Sequence, residues 1–167
     1  MFAVNDYIVY GNHGVCKVEN IGTVSLAMVD KDKVYYTLRP VYKNEAVVYA
    51  PVENPKSVIR AVLTKEDADK LIEEIPSLES VWIGNEKERE LQYKAALRSC
   101  DCRELIRIIK TLYLRKQARL TAGKKAVSLD EKYLFIAREQ LYGELAVSLG
   151  IEKNGVEDYI AQTLERV

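Results

Sequence analysis

The chain has 167 residues, 25 Lys/Arg against 25 Asp/Glu, one His and three Cys, with 48% hydrophobic and 30% charged residues. This composition suits a globular protein of one domain or two small ones. It excludes a membrane-spanning helix, because the longest apolar run, 46–52, is far too short for a bilayer.

No basic segment followed by a long apolar stretch opens the chain, so no signal peptide is read. Cys16, Cys100 and Cys102 are odd in number, and the Cys100/Cys102 spacing is not that of a zinc knuckle, so reduced cytosolic thiols are expected. The zero net charge hides an uneven distribution. Residues 1–60 carry 7 Lys/Arg and 6 Asp/Glu, 61–83 carry 2 and 6, 84–125 carry 12 and 5, and 126–167 carry 4 and 8. A basic block between two acidic ones is compatible with a polyanionic partner.

The first third reads as strands. Tyr7 and Val9, then Val15 and Lys17, alternate around a Gly11-Asn12-His13-Gly14 turn. Candidate strands cover 7–10, 15–23, 24–29, 34–40 and 46–51, with polar turns at 30–33 and 42–45, and 52–55 ending the sheet. Short, closely spaced strands predict a small, strongly bent sheet or barrel.

From Thr64 onward the period is helical. Thr64 is expected to cap a helix over 65–74, ended by Ile75-Pro76-Ser77 because a residue before proline avoids the α region. A second helix is expected over 86–98. A third starts at Asp101 with Glu104 as a capping-box partner and Leu105, Ile108, Ile109 and Leu112 as its apolar face. Thr121-Ala122-Gly123 breaks the chain. Ser128 and Glu131 read as another capping box for a helix to Leu149, stopped by Gly150, and a short helix follows Asn154-Gly155.

These residues resemble the CarD/CdnL bacterial transcription regulators, whose N-terminal module is shared with the transcription-repair coupling factor. The matching residues are Asp6-Tyr7-Ile8-Val9-Tyr10, His13-Gly14-Val15, Val18-Glu19 with Ile21, and Pro51-Val52-Glu53-Asn54. Further along they are Trp82, Arg89, Tyr93, Leu112-Tyr113 with Arg115, Ala122-Gly123-Lys124-Lys125 and Gly143-Glu144-Leu145-Ala146. The resemblance implies an α+β protein with a Tudor-like N-terminal bent sheet or barrel over 1–60, binding the RNA polymerase β subunit. It implies a helical DNA-binding domain over 61–167, of which 61–80 form a connecting helix and linker. The resemblance further implies that the helical domain docks on promoter DNA at the upstream edge of the melted region, with the tryptophan wedged into the minor groove. Two departures stand out. Some members carry polymerase-contacting arginines where this chain has Val24 and Tyr49, and the gap from Trp82 to the Asp101 cap is longer here.

The candidate residues have plainer readings too. A lone tryptophan such as Trp82 usually packs in a core. The basic set, Lys87, Arg89, Lys94, Arg98, Arg103, Arg107, Lys110, Arg115, Lys116, Arg119, Lys124 and Lys125, can be a solvated face, since Glu86, Glu88 and Glu90 pair some of it. Lys124 and Lys125, beside a glycine break, are well placed for phosphate oxygens, and no major-groove recognition pattern is present. His13 is read as a turn residue without metal partners.

The expectation is therefore a non-enzymatic, cofactor-free cytoplasmic and nucleoid-associated regulator. Trp82, Lys87, Arg89, Arg115, Lys124 and Lys125 are its DNA-contact candidates, and Val24 and Tyr49 its polymerase-contact candidates. One rival is a polymerase adaptor whose helical half binds protein. Another is a thiol enzyme or redox sensor using Cys100 and Cys102.

Overall fold

The structure is a computed structural model and describes residues 1–25, 31–43, 46–53, 55–80 and 84–165. The chain divides into two compact units, Met1–Val62 and Leu63–Val167.

The first unit is an antiparallel sheet of β1 (Tyr7–Tyr10), β2 (Val15–Gly22), β3 (Tyr35–Pro40), β4 (Val48–Pro51) and β5 (Ile59–Ala61), in the order β4-β3-β2-β1-β5. Alternation sets its core. Ile8, Tyr10, Cys16, Val18, Tyr36, Leu38 and Ala50 come from the same face and form one buried cluster. Burying each large side chain of this kind contributes about 1.5–3 kcal/mol. Tyr7 and Val9 stand opposite Lys17 and Val15, as their alternation predicts, but on the face away from that cluster. Val9 and Val15 are buried there even so. A bulge between Val18 and Asn20 shifts the β2–β3 register and adds bend to the sheet.

The β1–β2 connection is a single 3-10 turn over Gly11–His13, with the His13 ring stacked 5.6 Å from Tyr10. Gly11 has φ +47, its N–H donates to Val58 O at 2.9 Å, and a Cβ there would meet Ser57 Cβ at 2.8 Å. The turn is thereby pressed onto the approach to β5. That strand corrects the expectation that 52–55 ends the sheet: Ile59–Ala61 pairs with β1 and closes its free edge. Three residues are too short a stretch for a periodicity to register. Of the expected strand 24–29, Val24 and Ser25 are outside any strand and the rest lies outside the described residues. Asp30, Asn44 and Glu45, from the two expected turns, also lie outside them.

The second unit is helical: α1 (Lys65–Glu74), α2 (Glu86–Ser99), α3 (Cys102–Thr121), α4 (Ser128–Leu149) and α5 (Val156–Glu165). Thr64 Oγ1 accepts from Asp67 N at 3.1 Å and Asn85 Oδ1 from Glu88 N at 3.0 Å, so both helices start on side-chain caps. Its core gathers Ala68, Leu71, Ile72, Tyr93, Leu105, Ile108, Leu112, Ala137, Leu141, Leu145 and Val156. Gly150 stops α4 at φ +68, and Ile151 N donates back to Ala146 O at 3.0 Å.

Three local expectations are corrected. Ile75 stays in the α region before Pro76, and the chain tightens into a 3-10 turn over Ile75–Ser77, becoming extended only at Leu78. Asp101 does cap α3, accepting from Arg103 N at 2.9 Å, but its own N–H goes to Ser99 Oγ at 3.1 Å while Glu104 pairs with Arg107. The reciprocal half of the box is therefore made by serine. Ser128 is the first helical residue of α4, and Val127 is the cap, so no capping box forms there.

Candidate functional site

In the sheet unit, β4 and β5 are the two edges. Tyr49 lies on edge strand β4, opposite Thr37, on the face away from the core, and is half-buried. Val24 follows the end of β2 and is also half-buried. Neither carries charge. The cations nearest in the register are Lys17 and Arg39, directly opposite each other on that same face. Like charges so placed repel. Glu19 relieves the repulsion with Nε–Oε1 2.8 Å to Arg39, and the Arg39 guanidinium, with lesser help from Lys17, holds the Glu19 carboxyl below its ordinary value.

In the helical unit, the basic block is largely consumed by pairing, within a helix or between helices. Lys94 meets Glu90 at 3.4 Å, Arg103 meets Glu74 at 2.8 Å, Arg107 meets Glu104 at 3.3 Å, Arg115 meets Asp130 at 3.0 Å and Lys116 meets Glu131 at 3.1 Å. Lys110 and Arg119 donate to backbone carbonyls. Glu74, Asp130 and Glu131 lie outside the block, so counting charge along the sequence overstates the surplus. Among the described residues, Lys87, Arg98, Lys124 and Lys125 make no side-chain ion pair or hydrogen bond, and all four are exposed.

Arg89 and Arg115 converge on a buried polar centre. Asp130 is 5% exposed and accepts from Tyr93 OH at 2.8 Å and Arg115 Nε at 3.0 Å. Burial first, and then the Asp130 carboxylate, push the Tyr93 phenol far above its ordinary value. Arg89 faces the same phenol electrostatically, and its Nε is buried without a hydrogen-bond partner. Arg115 is thus the counter-ion of a buried carboxylate. Tyr93 and Asp130 are 37 residues apart, and no sequence pattern joins them. Trp82 lies outside the described residues.

Lys124 and Lys125 sit in the loop between α3 and α4, which Gly123 opens at φ +76. Arg119 Nε donates to Lys125 O at 2.7 Å and fixes the loop on α3. The following helix begins without a side-chain cap at Val127, and the acids of its first turn, Asp130 and Glu131, are turned to Arg115 and Lys116.

A second buried carboxylate, Glu144, ties the unit together. It accepts from Leu63 N at 3.0 Å and from the Cys102 thiol at 3.1 Å, linking the approach to α1, the start of α3 and the last turns of α4. None of the three cysteines is in a disulfide, and all three are buried. Among the described residues no three His, Cys, Asp or Glu side chains converge as a metal site, and no helix is long and apolar enough to cross a membrane.

The chain thus joins in sequence an antiparallel sheet unit and a helical unit on which, among the described residues, Lys87, Lys124 and Lys125 are exposed and unpaired. Residues 2–63 match the CarD-like/TRCF RID domain family, so the N-terminal unit of this chain is a CarD-like/TRCF RID module. Modules of this family are non-enzymatic parts of transcription factors, and the match supports a transcription-related role with RNA polymerase as partner.

Proposed function

We propose that this protein is a transcription regulator of the bacterial cytoplasm and nucleoid. It holds the RNA polymerase β subunit with its Tudor-like N-terminal module and promoter DNA with its helical unit. At the upstream edge of the melted region it stabilises the open complex, without a cofactor or catalysis. The observation that carries the DNA half of this reading is the pair Lys124 and Lys125: exposed, unpaired among the described residues, and next to the uncapped start of α4. Helix-start N–H groups and lysine ammonium groups together suit phosphate oxygens.

Lys87 adds a further exposed cation, and Trp82 supplies the wedge against an unstacked step. Arg89 and Arg115 contribute chiefly by shaping the surface from beneath through the Tyr93–Asp130 centre. On the other unit the edge strand β4, with Tyr49, takes a polymerase strand by edge pairing, and Val24, just past β2, is a second contact candidate. Binding to the polymerase raises the local concentration of the helical unit at the promoter, so individually weak phosphate contacts suffice. The factor stabilises the open complex by the difference in its affinity for the open and closed states, and by nothing else.

One observation favours a second reading. Tyr113, Leu114 and Leu120 on α3 are each at least half exposed, which suits a helical half that docks on protein. The affinity of the full chain for a promoter fragment across a salt series separates the two. The proposed function gives a slope of about one unit per phosphate contact, and a protein-docking half gives no measurable DNA binding. The thiol-enzyme reading finds no support in Cys102, which is buried with its S–H directed at Glu144.

A further inference from the structure

Three cations of the basic block have a task other than DNA. Arg103, Arg107 and Lys110 are spaced i, i+4, i+7 and share one face of α3. Each reaches back to the end of α1 or to the stretch that follows it. Arg103 grips Glu74 with both ends of its guanidinium, at 2.8 and 2.9 Å. Arg107 Nε donates to Glu79 O at 3.2 Å. Lys110 Nζ donates to Ile75 O at 2.8 Å and Leu78 O at 2.6 Å.

The chemistry is that of a helix end. Ile75 and Leu78 close α1 and the 3-10 turn after it, and Ile75 O accepts a single backbone bond, from Leu78 N at 3.2 Å, so the carbonyls at this helix end have capacity for a further donor. An ammonium group satisfies both and complements the negative end of the helix dipole. Lys110 carries the greater share, because it is half-buried and donates twice, whereas the Arg103–Glu74 pair is exposed and contributes little alone. The Arg103 guanidinium lowers the Glu74 carboxyl below its ordinary value, so the pair is charged at neutral pH.

We infer that Arg103, Arg107 and Lys110 are positioning residues: a ladder on α3 that fixes residues 74–79, the stretch leading toward Trp82, and does not touch phosphate. The functional consequence rests on the proposed DNA role of the helical unit, because it is there that the aim of this stretch matters.

The test uses the full chain and its single tryptophan, read by emission and by acrylamide quenching in the protein alone. Lys110→Met keeps the apolar stem and removes the ammonium. It should change the emission and quenching of Trp82 while the salt slope of DNA binding stays that of the wild type. Arg103→Glu should disturb the same signals, and adding Glu74→Arg should restore them, because the ladder needs only opposite charges at the two positions. Both positions of the swap are exposed, so it remains informative if Lys110→Met does not fold. Unchanged tryptophan signals in Lys110→Met and Arg103→Glu, with the salt slope lower by about one unit in each, would overturn the inference. A wild type that binds no DNA would refute the proposed function but leave the tryptophan measurements to decide the clamp.

Discussion

Arg115→Ala separates the structural and nucleic-acid roles of one cation. In the wild type the Asp130 carboxylate is 5% exposed and has two donors, Tyr93 OH at 2.8 Å and Arg115 Nε at 3.0 Å. Removing Arg115 leaves a buried charge with the phenol alone. Breaking a buried pair in this way costs about 3–5 kcal/mol. The Arg115 side chain is 29% exposed, and water screens part of the interaction. About 2–3 kcal/mol is therefore the expected loss. For a unit of this size, at about 4 °C per kcal/mol, Tm should fall by roughly 8–12 °C. The assay is thermal unfolding by circular dichroism of wild type, Arg115→Ala, Asp130→Asn and the double variant. Asp130→Asn removes the uncompensated charge, so the double variant should be more stable than Arg115→Ala, with a coupling of about 1 kcal/mol or more. If Arg115→Ala melts with the wild type and instead loses about one unit of salt slope in DNA binding, Arg115 is a phosphate contact and the reasoning fails.

Lys124→Glu with Lys125→Glu should weaken promoter binding and lower the salt slope by about one unit per lost contact, with Tm unchanged; equal affinity and slope would make these lysines mere surface. Trp82→Ala should keep polymerase binding but shorten the open complex by about five- to a hundred-fold, since base–aromatic stacking is worth about 1–3 kcal/mol; a defect that tracks the melting point would point to core packing. Tyr93 makes the helical unit sensitive to alkali. Burial and Asp130 raise its folded-state value above the ordinary 10.0, so its contribution is intact below that pH and is lost as pH rises toward the folded-state value. Tyr93→Phe should flatten the fall of Tm above pH 10, leaving the smaller part due to Tyr133 and Tyr142, which are also shifted upward by burial.

Long elements with strong periods were readable from the chain. The 65–74 helix with its Thr64 cap, the β1 strand at 7–10 and the α4 stop at Gly150 all stand where the pattern puts them. Local signals failed where a neighbour decides. The β5 strand at Ile59–Ala61 exists because β1 offers it an edge, and its three residues show no alternation of their own. Ser128 carries a capping-box signature, yet the helix starts one residue earlier than that box requires. Counting charge in sequence blocks overstated the free positive charge. Block counting set Glu86, Glu88 and Glu90 against the cations, whereas Glu74, Asp130 and Glu131 arrive from other helices. What remains unpaired among the described residues is a smaller set, Lys87, Arg98, Lys124 and Lys125. The ladder of Arg103, Arg107 and Lys110 was visible as a spacing on one helix face. Its target was not, because the accepting carbonyls of Ile75, Leu78 and Glu79 carry no side-chain signature.

A link between polymerase and opened promoter DNA should show in the lifetime of polymerase–promoter open complexes after challenge with a DNA competitor, measured with and without this chain at a fixed salt concentration. The lifetime should be longer with the wild-type chain, and shorter with Lys124→Glu/Lys125→Glu at equal polymerase occupancy. A lifetime unaltered by wild-type protein that is demonstrably bound to the polymerase would contradict that link.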